Sequence, residues 1–323
     1  MRQIYAPIAS QLRRVDERLH RELQSRYECL MPVLRHGTQL GGKRLRPALL
    51  LLSGQAIAPD RALDDDHIVM ATVIEMVHTA TLVHDDVLDK ADTRRHVPTI
   101  NARWDTDTSI LLGDYLFAQS FELAATLPST RACRWVGRAA RGVCEGELRQ
   151  VLSRDWLDID QETYFDILRG KTAELTRVAC QLGGDLSGAS EAEIDALGQF
   201  GNDLGIAFQI ADDLLDLWGD DEHVGKTLGT DIQQGKMTLP LIRICRGEDT
   251  ELAKKAIEAL RMPSDQRLNA VMPLLRQSDA AEFTARAAER YRDSAIEAIS
   301  SLPESPATDS LRAIAHFSVQ RRY

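Results

Sequence analysis

The sequence predicts an all-α protein, and three observations carry that prediction. Apolar residues recur at three- and four-residue spacing along most of the 323 residues. Strand-like alternation bounded by turns is scarce. Two acidic triplets of near-identical spacing each close an apolar helical run. In the first, Met70, Val73, Ile74 and Val77 lead through Thr81 to Asp85, Asp86 and Asp89. In the second, the run FQIADDLLDLW from Phe208 to Trp218 carries Asp212, Asp213 and Asp216. The outer carboxylates of each DDxxD sit one helical turn apart with the middle one about 100° round, so three like charges crowd one helix end. That crowding calls for a cation. An oxygen-only donor set suits Mg²⁺, which keeps several waters and shares a few carboxylates with substrate phosphates.

Composition bounds the function. Hydrophobic residues make up 44% and charged residues 27%, ordinary values for a globular chain. The net charge of −10 argues against general nucleic-acid binding but leaves room for an anionic substrate beside a bound metal or a local basic patch. Five cysteines without CxxC or Cys/His spacing indicate neither a disulfide framework nor a zinc site, and a reducing cytoplasm is the expected setting. The N-terminus lacks the apolar core of a signal peptide, and no run of about 18 uncharged apolar residues predicts a transmembrane segment.

Taken in order, residues 1–35 read as amphipathic helix, with Ile4, Ile8, Leu12, Val15 and Leu19 on one face. Gly41-Gly42-Lys43-Arg44-Leu45-Arg46-Pro47 then sets a flexible turn and three cations at the start of an apolar helix that runs through Leu52. Side chains and free N–H groups at such a start bind phosphate together, although an isolated basic turn of this kind is also a common solvated surface. Asp64, Asp65 and Asp66 read as helix N-cap and first-turn acids. Pro98 predicts extended or turning chain after Thr93-Arg94-Arg95-His96. The two arginines there either neutralise the first acidic cluster or hold a diphosphate bridged to it by metal.

Helical periodicity resumes over residues 109–127, 132–152, 161–184, 191–217 and 280–301, with loops expected near Pro128, Gly183-Gly184, Gly219 to Lys236 and Pro303 to Pro306. Lys171-Thr172 interrupts one of these patterns. Lys226 and Lys236 bracket GKTLGTDIQQGK just after the second acidic cluster.

Taken together, GGKRLRP, HDDVLD followed by TRR, the GKT of residues 170–172, FQIADDLLD and the GK before TLPL resemble the trans-polyprenyl diphosphate synthases, over about residues 37–242 and in the family's order. The C-terminal HFSVQRRY is similar to family endings. The resemblance implies one isoprenoid-synthase-type domain over residues 1–323, a helical bundle around a deep apolar cavity with both acidic clusters at its mouth. It implies Mg²⁺ on Asp85, Asp89 and Asp212, with Asp86, Asp213 and Asp216 close by or acting through water. Arg94, Lys171, Lys226 and Lys236 then add positive charge for substrate, chiefly the diphosphate leaving an allylic prenyl diphosphate, where negative charge develops. Thr172 and Gln209 supply dipoles to the allylic carbocation. Isopentenyl diphosphate is expected on Lys43, Arg46, His78 and Arg95, its double bond attacking the cation before a proton is lost to the released diphosphate.

His96 departs from the family, which usually has Gly after the arginine pair. Small residues at Ala80 and Thr81, where short-chain members commonly carry aromatic rings, imply a medium to long, octaprenyl-like product of the quinone side-chain type, with Phe117 or Phe121 as a candidate floor. A homodimer is expected, with helices between residues 100 and 150 at its interface. The competing readings are a geranylgeranyl or farnesyl diphosphate synthase, a non-catalytic partner subunit and a class I terpene cyclase. The partner subunit is expected to have lost an acidic cluster or a diphosphate-binding cation, and the cyclase has no need of Lys43, Arg46 and Arg95.

Overall fold

The computed structural model describes residues 3–39, 42–219 and 228–320. They are mostly helical with almost no sheet, in two compact units. The first comprises Met1–Arg141, Leu175–Gly201 and Ala298–Ile314, and the second Gly142–Glu174, Asn202–Glu297 and Ala315–Tyr323.

The first unit is built on α3 (Leu45–Ile57) and α4 (Asp65–Leu88). Leu49 to Leu52 are buried without a break, so α3 has no solvent face, as a helix apolar all round must. Gly183 lets the backbones close up, since a Cβ there would strike the Leu50 carbonyl oxygen. The expected loop at Gly183-Gly184 is therefore helix, inside α9 (Glu174–Leu186): these glycines serve close packing rather than a turn. Asp64 caps α4 by accepting from the His67 N–H, with Asp65 and Asp66 in the first turn as predicted. Against α4 pack α3, α1 (Ala9–Glu22) and α6 (Thr106–Ala124). Its length and apolarity would suffice to cross a membrane, but 78% of its apolar window is buried inside the protein, the pattern of a core helix. The N-terminal helix is shorter than the periodicity implied. It stops at Glu22, with Leu23 as its C-cap, and the chain re-enters helix through a 3₁₀ turn at Glu28–Leu30 that leads into α2 (Met31–Gln39).

A two-residue hairpin departs from the all-α pattern, with β1 (Thr93–Arg94) pairing antiparallel to β2 (Val97–Pro98). The short α5 (Ile100–Arg103) leads from it into α6.

The expected helix over 161–184 is continuous, with a change of pitch where Lys171-Thr172 interrupts its pattern. It begins as α8 (Gln161–Leu168), passes through one π-helical stretch at Arg169–Ala173 and continues as α9. The core of the second unit joins Ile206, Ile210 and Leu217 of α10 (Glu191–Trp218) to Leu239, Leu241 and Ile242 of α12 (Leu239–Cys245). Between these lies the short α11 (Thr230–Gln233), inside the stretch expected as loop. Periodicity had not singled out α13 (Thr250–Leu260) or α14 (Ser264–Gln277), whose buried residues are small or widely spaced. Helices α7 (Thr130–Leu152), α15 (Ala280–Ala298) and α16 (Pro306–Val319) complete the described chain.

Candidate active site

In the first unit the acidic cluster ends α4. Asp85 and Asp89 are half-buried and one turn apart, the Asp89 N–H donating to the Asp85 carbonyl at 2.8 Å. Carboxylates at a helix C-terminus meet the negative end of its dipole, which adds to their mutual repulsion. Asp86 differs from its neighbours. It is 1% exposed, and its Oδ1 accepts from Arg94 Nε at 2.9 Å with Nη2 at 2.8 Å. Arg94 thus neutralises the cluster's inner member, the plainer of its two expected roles.

The hairpin sets the next residue. Arg95 and His96 form its turn with φ of 53° and 64°, both left-handed as a tight two-residue hairpin turn requires. That requirement would suit a glycine at His96, and histidine is among the few other side chains that visit this region. His96→Val, β-branched, is expected to lower stability by about 1–2 kcal/mol, whereas His96→Gly lowers it little or raises it. Urea unfolding midpoints check both.

Arg95 belongs to a basic cluster with the start of α3. A Cβ on Gly42 would run into the Arg95 guanidinium, so the glycine turn and the hairpin approach closely. Arg46 Nη1 donates to His78 Nε2 at 3.0 Å. Burial and then the charges of Arg46, Arg95, Arg94 and Arg44 hold His78 well below the usual imidazole range. It is neutral at pH 7, with Nε2 as acceptor and the proton on Nδ1. Of the three cations in the glycine-rich turn, Arg44 is structural. Left-handed at φ 52°, it pairs with Asp16 at 2.9 Å and with the buried Glu75 at 2.7 Å. The structure therefore gathers Arg46, His78 and Arg95 beside the turn that carries Lys43, an arrangement fit for an anion.

In the second unit, Gly170 packs on Gly142 and Gly146, and a Cβ on Gly146 would collide with the Lys171 backbone. The π-helical stretch over residues 169–173 re-aims Lys171 and Thr172. Lys171 Nζ lies 2.5 Å from Glu147 Oε2 and 2.8 Å from Gln150 Oε1. Thr172 Oγ1 donates to Gln209 Oε1 at 3.1 Å, and Gln209 Nε2 donates to Asp213 Oδ1 at 3.0 Å. Tyr164 OH donates to the other oxygen, Oδ2, at 2.6 Å. Burial first, then Asp231 nearby, raises the pKa of the Asp213 carboxyl, and the two hydrogen bonds it accepts oppose that shift by favouring the ionised form.

Asp216 accepts from the N–H groups of Thr230 and Asp231 at 3.3 and 3.2 Å, holding the start of α11, while Asp212 is half-buried. Lys236 Nζ lies 3.4 Å from Asp231. A pocket here is lined by Gln150, Tyr164, Lys171, Gln209, Asp213 and Lys236. Lys226 lies outside the described residues.

Sequence reasoning missed Tyr164, Glu147, Gln150 and Asp231. Tyr164 stands seven residues, about two helical turns, before Lys171, the spacing that separates His78 from Asp85. That spacing was its one available signal.

The donor sets fit a hard divalent cation. Among the described residues no three carboxylates or imidazoles converge as a protein-only cage. Paired aspartates one turn apart match an ion such as Mg²⁺, which takes one or two carboxylates and completes its shell with water and phosphate oxygen.

Comparison with known proteins agrees with this chemistry. The polyprenyl synthetase family model matches residues 27–275. Heptaprenyl diphosphate synthase component 2 of Geobacillus stearothermophilus is 37% identical over 324 aligned positions, covering 100% of this chain and 99% of the relative. Octaprenyl diphosphate synthase of Escherichia coli (strain K12) is 36% identical over 87% of this chain and 86% of its own. The crystal structure of a polyprenyl synthase from Caulobacter crescentus CB15, complexed with calcium and isoprenyl diphosphate, superposes with a TM-score of 0.89 at 32% identity, covering 99% of this chain and 98% of that one. The chain belongs to the polyprenyl synthetase family, and its activity is that of a trans-prenyltransferase making polyprenyl diphosphates.

Proposed function

We propose that this enzyme extends an allylic prenyl diphosphate with isopentenyl diphosphate to a long, octaprenyl-like product in a Mg²⁺-dependent reaction. The observation that carries the reading is the pairing, within the first unit, of an acidic helix end at Asp85 and Asp89 with the basic cluster of Arg46, His78 and Arg95. One suits a diphosphate reached through metal. The other suits a diphosphate held directly by guanidinium groups, the second substrate that chain elongation needs and cyclisation does not. The relative crystallised with calcium and isoprenyl diphosphate supports a divalent ion as the natural partner of the carboxylates.

Each residue has a task. Asp85 and Asp89 on α4 and Asp212 on α10 would hold Mg²⁺, with Asp86, Asp213 and Asp216 close by or acting through water, and the ion would supply positive charge for the departing diphosphate. Arg94, Lys171, Lys226 and Lys236 add positive charge toward substrate, Arg94 from its bond to Asp86. Lys43, Arg46 and Arg95 orient isopentenyl diphosphate. Neutral His78 accepts from Arg46 and so fixes the direction of that guanidinium without adding charge. Thr172 and Gln209 turn oxygen lone pairs toward the developing cation, and the released diphosphate takes the proton. We propose the cytoplasm as the setting and one catalytic domain over residues 1–323, supported by a family match that includes residues of both units. A homodimer through α6 is supported by Ile110 and Leu111, large apolar side chains left exposed there.

One observation favours a second reading. Two relatives are named as component 2 of a heptaprenyl diphosphate synthase, which favours pairing of this chain with a further component over pairing with its own copy. Purified chain is assayed alone for incorporation of labelled isopentenyl diphosphate, with sedimentation in parallel. Turnover by a dimer is the expected result. An inactive monomer across the micromolar range favours the two-component reading.

A further inference from the structure

We propose that Tyr164 is a positioning residue for the condensation: through Asp213 it sets which end of the Gln209 amide faces Thr172 and the pocket. The inference rests on the reading of Gln209 and Thr172 as the dipoles beside the allylic cation. A glutamine amide has two nearly isosteric orientations, and they present opposite charge to the pocket, carbonyl oxygen in one and NH₂ in the other. Beside a carbocation the first stabilises and the second repels. Something must choose between them.

The chain of hydrogen bonds runs in one direction. Tyr164 has a single hydroxyl hydrogen, given to Asp213 Oδ2 at 2.6 Å. That bond fixes the rotation of a carboxyl group only 3% exposed, leaving Oδ1 to accept from Gln209 Nε2 at 3.0 Å. With nitrogen committed to Asp213, Oε1 necessarily lies on the other side, where Thr172 Oγ1 donates to it at 3.1 Å. The threonine's lone pairs are thereby released from that contact, and Gln209 lines the same pocket as Lys171. The hydroxyl of Tyr164, which is 4% exposed and edge-on to Phe165, is held in place by packing rather than by solvent. Asp213 serves as the relay in this arrangement, its two oxygens engaged from within the protein.

The test is the single-turnover rate of the first condensation, with affinity for the allylic diphosphate measured separately, in Tyr164→Phe, Gln209→Leu and the double variant. Tyr164→Phe is expected to slow the rate about tenfold with unchanged allylic affinity, and to add less than about twofold in the Gln209→Leu background. An unchanged rate in Tyr164→Phe, or the same tenfold loss with and without Gln209, overturns the inference. A Gln209→Leu enzyme as fast as wild type overturns the underlying reading as well, and so separates the two failures. Should the phenylalanine variant not fold, neutron diffraction from wild-type crystals reads the amide directly. Deuterium on the atom facing Asp213 supports the relay, and deuterium on the atom facing Thr172 excludes it.

Discussion

Asp85→Ala and Asp212→Ala each lower turnover by about a thousandfold or more while the protein stays folded. Both carboxylates are half-buried, so neither change opens a cavity in the core. Losing Asp85 even removes one negative charge from the C-terminal end of α4, where like charges and the helix dipole disfavour it. Melting temperatures are therefore expected within a few degrees of wild type, and EDTA reproduces the loss of activity in the unmodified enzyme. Asp86→Ala gives the opposite balance. It strands Arg94, whose partner is the buried member of the triplet, and lowers stability by about 3 kcal/mol. Near-normal Mg²⁺-dependent turnover in either Asp85→Ala or Asp212→Ala would contradict the metal assignment.

Ala80→Tyr and Thr81→Phe shift the product toward the farnesyl or geranylgeranyl stage. On α4 the side chains one turn before Asp85 are Ala80 and Thr81, followed by Val77, Ile74 and Val73, and none carries a ring. Each turn advances about 5.4 Å, roughly one isoprene unit, so a ring near the top of this helix removes room for several units. Ala80 is fully buried and a tyrosine there costs about 1–3 kcal/mol of packing, whereas Thr81 is half-buried and its hydroxyl donates to the His78 carbonyl at 2.8 Å. The Thr81 variant is thus the cleaner probe. On the facing helix α6, Phe117 and Phe121 stack with ring centroids 6.5 Å apart, and Phe117→Ala is expected to lengthen the product. Chromatography of dephosphorylated products reads both directions. Unchanged length in an active Ala80→Tyr enzyme removes this part of α4 from the tunnel wall.

Long, strongly periodic helices were legible in the sequence, as α4, α6 and α10 demonstrate. Their apolar stripes face helices contributed by other parts of the chain, and the stripe itself encodes that burial. The hairpin at residues 93–98 was legible only as extended chain before Pro98, because its register depends on two left-handed residues with no glycine to announce them. Gly183 misled for the opposite reason. Glycine marks a turn or a close approach equally well, and only the Leu50 carbonyl against it decides.

In the site, the acidic spacing named six carboxylates and set the middle one of each triplet round the helix, without showing what each bonds to. Partners make the difference: Arg94 for Asp86, Tyr164 and Gln209 for Asp213, and two backbone N–H groups for Asp216. Those partners lie up to 49 residues away, beyond any local pattern. Likewise nothing local in the glycine-rich turn tells Arg44 from Lys43 and Arg46, and its partner Glu75 lies 31 residues on.

The most direct measurement is the product formed from labelled isopentenyl diphosphate and an allylic primer with Mg²⁺. Elongation past the geranylgeranyl stage to an octaprenyl-like length, abolished by EDTA, is the predicted result. Consumption of the allylic substrate without incorporation of isopentenyl units would contradict it.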